Sequence, residues 1–76
     1  MEAMINAKWD HEAKVWVANS DVIPGLVLEA KTEDELMAEA ETLIPELLAQ
    51  NAHLLREPIK GVAITFIKVR AVALNT

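Results

Sequence analysis

The chain has 76 residues, is 53% apolar, carries a formal net charge of −5 and contains no cysteine. Such a length fits one domain over residues 1–76 with a modest core. The acid excess excludes a sequence-independent nucleic-acid binder, which needs a basic surface to displace counterions, and the lack of thiols excludes a disulfide framework. No apolar run approaches the roughly 20 residues that a membrane-crossing helix needs. Glu2 and the absence of a sustained apolar stretch before Lys8 do not read as a signal peptide, so a cytoplasmic protein without membrane partners is expected.

Met4–Trp9 reads as a first strand, with Ile5, Ala7 and Trp9 alternating against Met4, Asn6 and Lys8. Asp10–Ala13 is a polar turn, and Lys14–Asn19 is the returning strand, dense in β-branched and aromatic side chains. A tip at His11 and Glu12 pairs Trp9 with Lys14 and Ala7 with Trp16. Trp9, Trp16, Ile5 and Ala18 then share one face, assigned to the helix side. Ser20–Gly25 is a corner, with Asp21 suited to local backbone hydrogen bonds and Pro24-Gly25 fixing the bend. Leu26–Ala30 is the third strand.

From Thr32 to about Leu55 the pattern is helical. Thr32 and Glu35 supply a capping box, and Glu33, Asp34 and Glu35 suit the positive end of the helix dipole. Leu36, Ala40, Leu43, Ile44, Leu47, Leu48, Leu54 and Leu55 recur at three- and four-residue steps, which marks one apolar face. Pro45 costs one backbone bond but follows Ile44, a poor cap, so a bent continuous helix is expected rather than a new start. Val62–Leu74 is a long final strand, with Val62, Ile64 and Phe66 on one face and Ala63, Thr65, Ile67 and Val69 on the other. The elements predict an α+β fold, β-β-β-α-β: an antiparallel meander, one helix on one sheet face, and sheet order 3-2-1-4 through a right-handed crossover.

Reactive constellations are lacking in this pattern. His11 and His53 have no further ligands at metal-site spacing, Ser20-Asp21 has no histidine positioned to complete a nucleophilic set, and Gly25 and Gly61 do not build a phosphate loop. No cofactor and no enzymatic activity are expected. Trp9 and Trp16 read first as core and second as interface anchors.

The hairpin and corner, through Trp9-Asp10, Glu12-Ala13, Val15-Trp16-Val17-Ala18, Ser20-Asp21, Ile23-Pro24-Gly25-Leu26, Glu29-Ala30, Thr32 and Glu35-Leu36, resemble a family of small bacterial proteins of unknown function grouped with HicB-like antitoxins. Pro45-Glu46-Leu47-Leu48 and Asn51 fit the same family's helix. The resemblance covers about residues 4–55. It implies a sheet of the partial RNase H or double-stranded-RNA-binding type and a domain that masks a small RNase toxin. A counterpart of the family's DNA-binding segment is not expected beyond the fourth strand, and the glycine usual before the helix cap is replaced by Ala30 and Lys31. The expected function is a non-enzymatic protein-interaction module, with a small toxin-like protein as a possible partner. The alternative is a small-ligand binder or minimal enzyme using the open sheet face.

A last strand apolar on both faces needs two covers, and one helix supplies one. A homo-oligomer, at least a dimer, joined through Val62, Ile64, Phe66, Ile67 and Val69 is therefore expected.

Overall fold

The computed structural model describes residues 1–68 and 72–74. It contains strand β1 (Glu2–Asp10), β2 (Val15–Asn19), β3 (Val27–Ala30), helix α1 (Glu33–Gln50), a 3-10 turn (Ala52–Leu54) and strand β4 (Gly61–Ile67). The four strands form one sheet in the order β3-β2-β1-β4. β2 is antiparallel to both β1 and β3, while β4 runs parallel to β1. The fold is α+β with the predicted order.

Alternation decides which face meets the helix. Ala3, Ile5 and Ala7 of β1, Trp16 and Ala18 of β2, and Leu28 and Ala30 of β3 are buried against Leu36, Ala40 and Ile44 of α1. Alanine at 3, 7, 18, 30 and 40 keeps this layer thin, and Ile5, Ile23, Leu28 and Leu36 fill it with branched side chains. The opposite sheet face carries Met4, Asn6, Lys8, Val27 and Glu29, all exposed.

The hairpin register differs from the expectation. Trp9 lies opposite Trp16 and Ala7 opposite Ala18, two residues from the predicted pairing. A slip of two preserves which side each residue faces, so Ile5, Trp9, Trp16 and Ala18 do share the helix side. The cause is the loop. His11 and Glu12 cannot both readily adopt the positive φ that a two-residue turn demands. Instead the loop takes four residues, with the Lys14 amide donating to the Asp10 carbonyl at 2.8 Å. Asp10 Oδ1 accepts from the amides of Glu12 (2.9 Å) and Ala13 (3.1 Å), and Lys14 takes φ 60° to rejoin the strand.

At the second corner Ser20, rather than Asp21, holds the backbone. Its Oγ accepts from the amides of Val22 (3.0 Å) and Ile23 (3.1 Å), which fixes Ile23 with no exposed surface in the core. Pro24 and Gly25 follow, and the Leu26 amide donates to the Ile23 carbonyl at 3.2 Å. Gly25 has φ +79°, the left-handed value that the third position of a type II turn requires.

Helix α1 begins where the sequence places it. Thr32 Oγ1 accepts from the Glu35 amide at 3.1 Å, and three acids occupy the first turn. This is the hydroxyl half of the capping box. Thr32→Ala is therefore expected to cost about 1 kcal/mol, read as a lower urea midpoint; an unchanged midpoint would remove the cap from the account of stability. The helix runs on through Pro45, as expected, with that proline exposed. It stops at Gln50 rather than near Leu55. Asn51 closes it, donating to the Leu47 carbonyl from both its amide and its Nδ2, each at 3.0 Å. Leu54 consequently leaves the apolar face and stands 58% exposed.

The last strand is also shorter than expected, ending at Ile67 rather than at Leu74. The start of the chain anchors its approach. The Lys60 amide donates to the Met1 carbonyl at 2.8 Å, and the Met1 ammonium donates to the Pro58 carbonyl at 3.3 Å.

Candidate interaction edge and aromatic notch

β4 is an edge strand, paired with β1 on one side from Glu2↔Gly61 to Lys8↔Ile67. Val62, Ile64 and Phe66 turn to the helix side, where they pack against the core but remain half-buried. The reason lies in the order of the sheet. β4 ends the sheet on the side of β1, so its helix-side face forms the rim of the core. Ala63 and Thr65 of the other face are exposed, and Ile67 is half-buried there.

Of the five residues expected at an interface, the structure thus groups Val62, Ile64 and Phe66 on the inner rim and sets Ile67 on the outer face. Val69 lies outside the described residues. The two-sided apolar character predicted for the strand is real at its C-terminal end, where Phe66 and Ile67 face opposite ways, and weak at Ala63 and Thr65.

The tryptophans divide. Trp16 is core, 8% exposed, whereas Trp9 is half-buried. Their rings meet edge to face with centroids 5.5 Å apart at 66°, and Trp16 meets Phe66 likewise at 5.2 Å and 86°. This aromatic row links β1, β2 and β4 at the end of the sheet nearest the start of α1. Beside it lies a notch bordered by Lys8, His11, Ile67 and Lys68. Sequence reading missed it. The signal was the difference in strand length, which only the pairing of β1 with β4 reveals.

His11 and His53 are both exposed, and among the described residues no group of three His, Asp or Glu could hold a metal ion. Ser20 is engaged in its turn, as the two amides above require. No ionisable or other polar residue among those described is buried. Every carboxylate, ammonium and imidazole described lies in contact with water, and the ion pair at 3.3 Å joins an exposed Lys68 to a partly exposed Glu33. Such a pair contributes little. No helix among the described residues is long and apolar enough to cross a membrane.

A meander extended in parallel by a strand returning over one helix, with an open edge and an exposed outer face, defines a small α+β domain built around its surface rather than around a buried polar centre. The family model of a domain of unknown function, DUF1902, matches residues 2–71; the chain belongs to that family. It is also similar to a hypothetical protein from the extremely thermophilic bacterium Thermus thermophilus. The two share 38% sequence identity, with 95% of this chain and 100% of that one covered at a TM-score of 0.76. No curated protein matches the chain.

Proposed function

We propose that this chain is a non-enzymatic protein-interaction module of the HicB-like kind, which self-associates through β4 and engages a small toxin-like protein partner in the cytoplasm. The observation that carries the reading is the edge strand. β4 offers unpaired backbone on one side, has no proline to block pairing, and is flanked by the apolar side chains of Val62, Ile64 and Phe66 on one face and Ile67 on the other. Open edges of this kind recruit a further strand, and a two-fold pairing of identical edges is the commonest way to close them. The hairpin and corner residues that resemble HicB-like proteins are the ones that shape this sheet: Asp10 and Ser20 hold its turns, and Pro24-Gly25 makes its bend.

Sedimentation at micromolar concentration tests the self-association. The wild type is expected to sediment as a dimer. Ile67→Glu, on the outer face, should give a folded monomer, whereas Ile64→Glu places a charge on the rim of the core and should lower stability by about 1–3 kcal/mol. A wild-type chain that remains monomeric at about 1 mM, well above a Kd typical of stable dimers, would sink the dimer. The toxin reading is tested by co-expressing the product of the adjacent reading frame, expected to be a small basic RNase-like protein, and asking whether the two co-purify.

A further inference from the structure

Two hydrogen bonds outside the ladders fix which backbone groups face the free edge of β4. The Met1 carbonyl accepts from the Lys60 amide at 2.8 Å, so the odd-numbered residues that follow along β1 turn their amides and carbonyls toward β4. At the far end of β1 the Asp10 carbonyl accepts from the Lys14 amide, which turns the even-numbered residues toward β2. Opposed residues of a parallel pair point these groups the same way. Ala3, Ile5 and Ala7 lie opposite Val62, Ile64 and Phe66. The amides and carbonyls of Val62, Ile64 and Phe66 therefore point out of the sheet edge, where no described strand meets them. Val72 and Leu74, described beyond the strand, are 81% and 84% exposed and do not cover it. The other free edge, β3, spans only Val27–Ala30, so β4 is the longer template for a further strand.

Two identical edges related by a two-fold axis pair antiparallel, with the axis at one residue and opposed side chains on one face. An axis at Ile64 pairs the whole of Gly61–Ile67. Each step away from it leaves two residues of either strand without a strand partner. With the axis at Ile64, Val62 faces Phe66 of the partner subunit, and Ile64 faces its own copy. These are the half-buried side chains of the inner rim, and the pairing sets one rim against the other. On the outer face Ala63 meets Thr65 of the partner subunit, and Gly61 meets Ile67 of the partner subunit. Beside the axis a larger side chain thus stands across from a smaller one at every pair. An axis at Thr65 instead sets Lys68 across from Val62, and an axis at Ala63 carries Phe66 past the start of the strand.

We propose that a second copy of this chain pairs antiparallel with β4 about an axis at Ile64, joining two four-stranded sheets into one with both helices on the same side. The register rests on the self-association proposed above and specifies its geometry.

The chain has no cysteine, so single-cysteine variants report the register. Ala63 and Thr65 are exposed, and a cysteine at either position leaves the core untouched. With the axis at Ile64 the two positions are directly opposed in a non-hydrogen-bonded pair, with Cα atoms about 4.5 Å apart and within disulfide reach. Each lies roughly 8 Å from its own copy, beyond that reach. Ala63→Cys equilibrated with Thr65→Cys is expected to give a disulfide-linked pair under glutathione oxidation, in about tenfold the yield of either variant alone. Ala63→Cys linking to itself would move the axis to Ala63, and Thr65→Cys linking to itself would move it to Thr65. Either result overturns the register, as does the absence of any link in a chain that sediments as a dimer. A wild type that sediments as a monomer removes the self-association itself, and the register with it.

Discussion

Leu36→Ala is expected to destabilise the chain by about 3 kcal/mol, most of what a domain of this size possesses. Leu36 has no exposed surface, and it is the first side chain by which α1 grips the sheet. Truncating it leaves a cavity between the capped turn and the strand layer. Because alanines already make that layer thin, few side chains can move in to fill the space. The control is its neighbour. Met37, 37% exposed, points away from the core, and Met37→Ala should cost well under 1 kcal/mol. Urea unfolding followed by far-UV circular dichroism separates the two. Equal costs would mean that the helix is not docked through this face.

Trp16→Ala is expected to cost about 3–5 kcal/mol. Trp16 sits on β2, inside the sheet, and contacts two rings: Trp9 at 5.5 Å and Phe66 at 5.2 Å. Its loss removes the burial of the indole and also two edge-to-face contacts, each worth about 0.5–1.5 kcal/mol beyond area. Trp9 is only half-buried and ends the row, so Trp9→Ala should cost clearly less. Near-UV circular dichroism should collapse in the first variant and only weaken in the second. If Trp9→Ala proved the more damaging, the aromatic row would be anchored at the notch and not at the core.

What could be read directly from the residues was periodicity. The alternation at Ile5, Ala7 and Trp9 set the inner face of β1, the three- and four-residue steps of Leu36, Ala40 and Ile44 set the inner face of α1, and Thr32 set its start. The order of the sheet follows from these and from the crossover rule. Registers and ends were harder, since they depend on single hydrogen bonds that periodicity does not encode. Asp10 gathers two amides and lengthens the first loop, Asn51 caps the helix early, and Ser20 does the work expected of Asp21. The last strand shows a further reason. Its apolar pattern continues to Val72 and Leu74, which stand 81% and 84% exposed, so pattern alone overstates the length of β4. The interface residues were named from that same pattern. Their division between an inner rim and an outer face needed the pairing of β4 with β1.

The parallel pairing of β1 with β4 also orders events in time. The Met1 ammonium reaches the Pro58 carbonyl across 57 positions of sequence, and Ala3, Ile5 and Ala7 are the partners of Val62, Ile64 and Phe66. Contacts this distant require closure of a long loop before they return any stabilisation, which slows folding. During synthesis the meander and helix emerge from the ribosome first, while the edge of β1 stands open until Gly61–Ile67 has followed. In that interval the long edge of β1, which the finished sheet covers with β4, is open to other chains, and the nascent chain is then most exposed to aggregation. The strand made first is completed last.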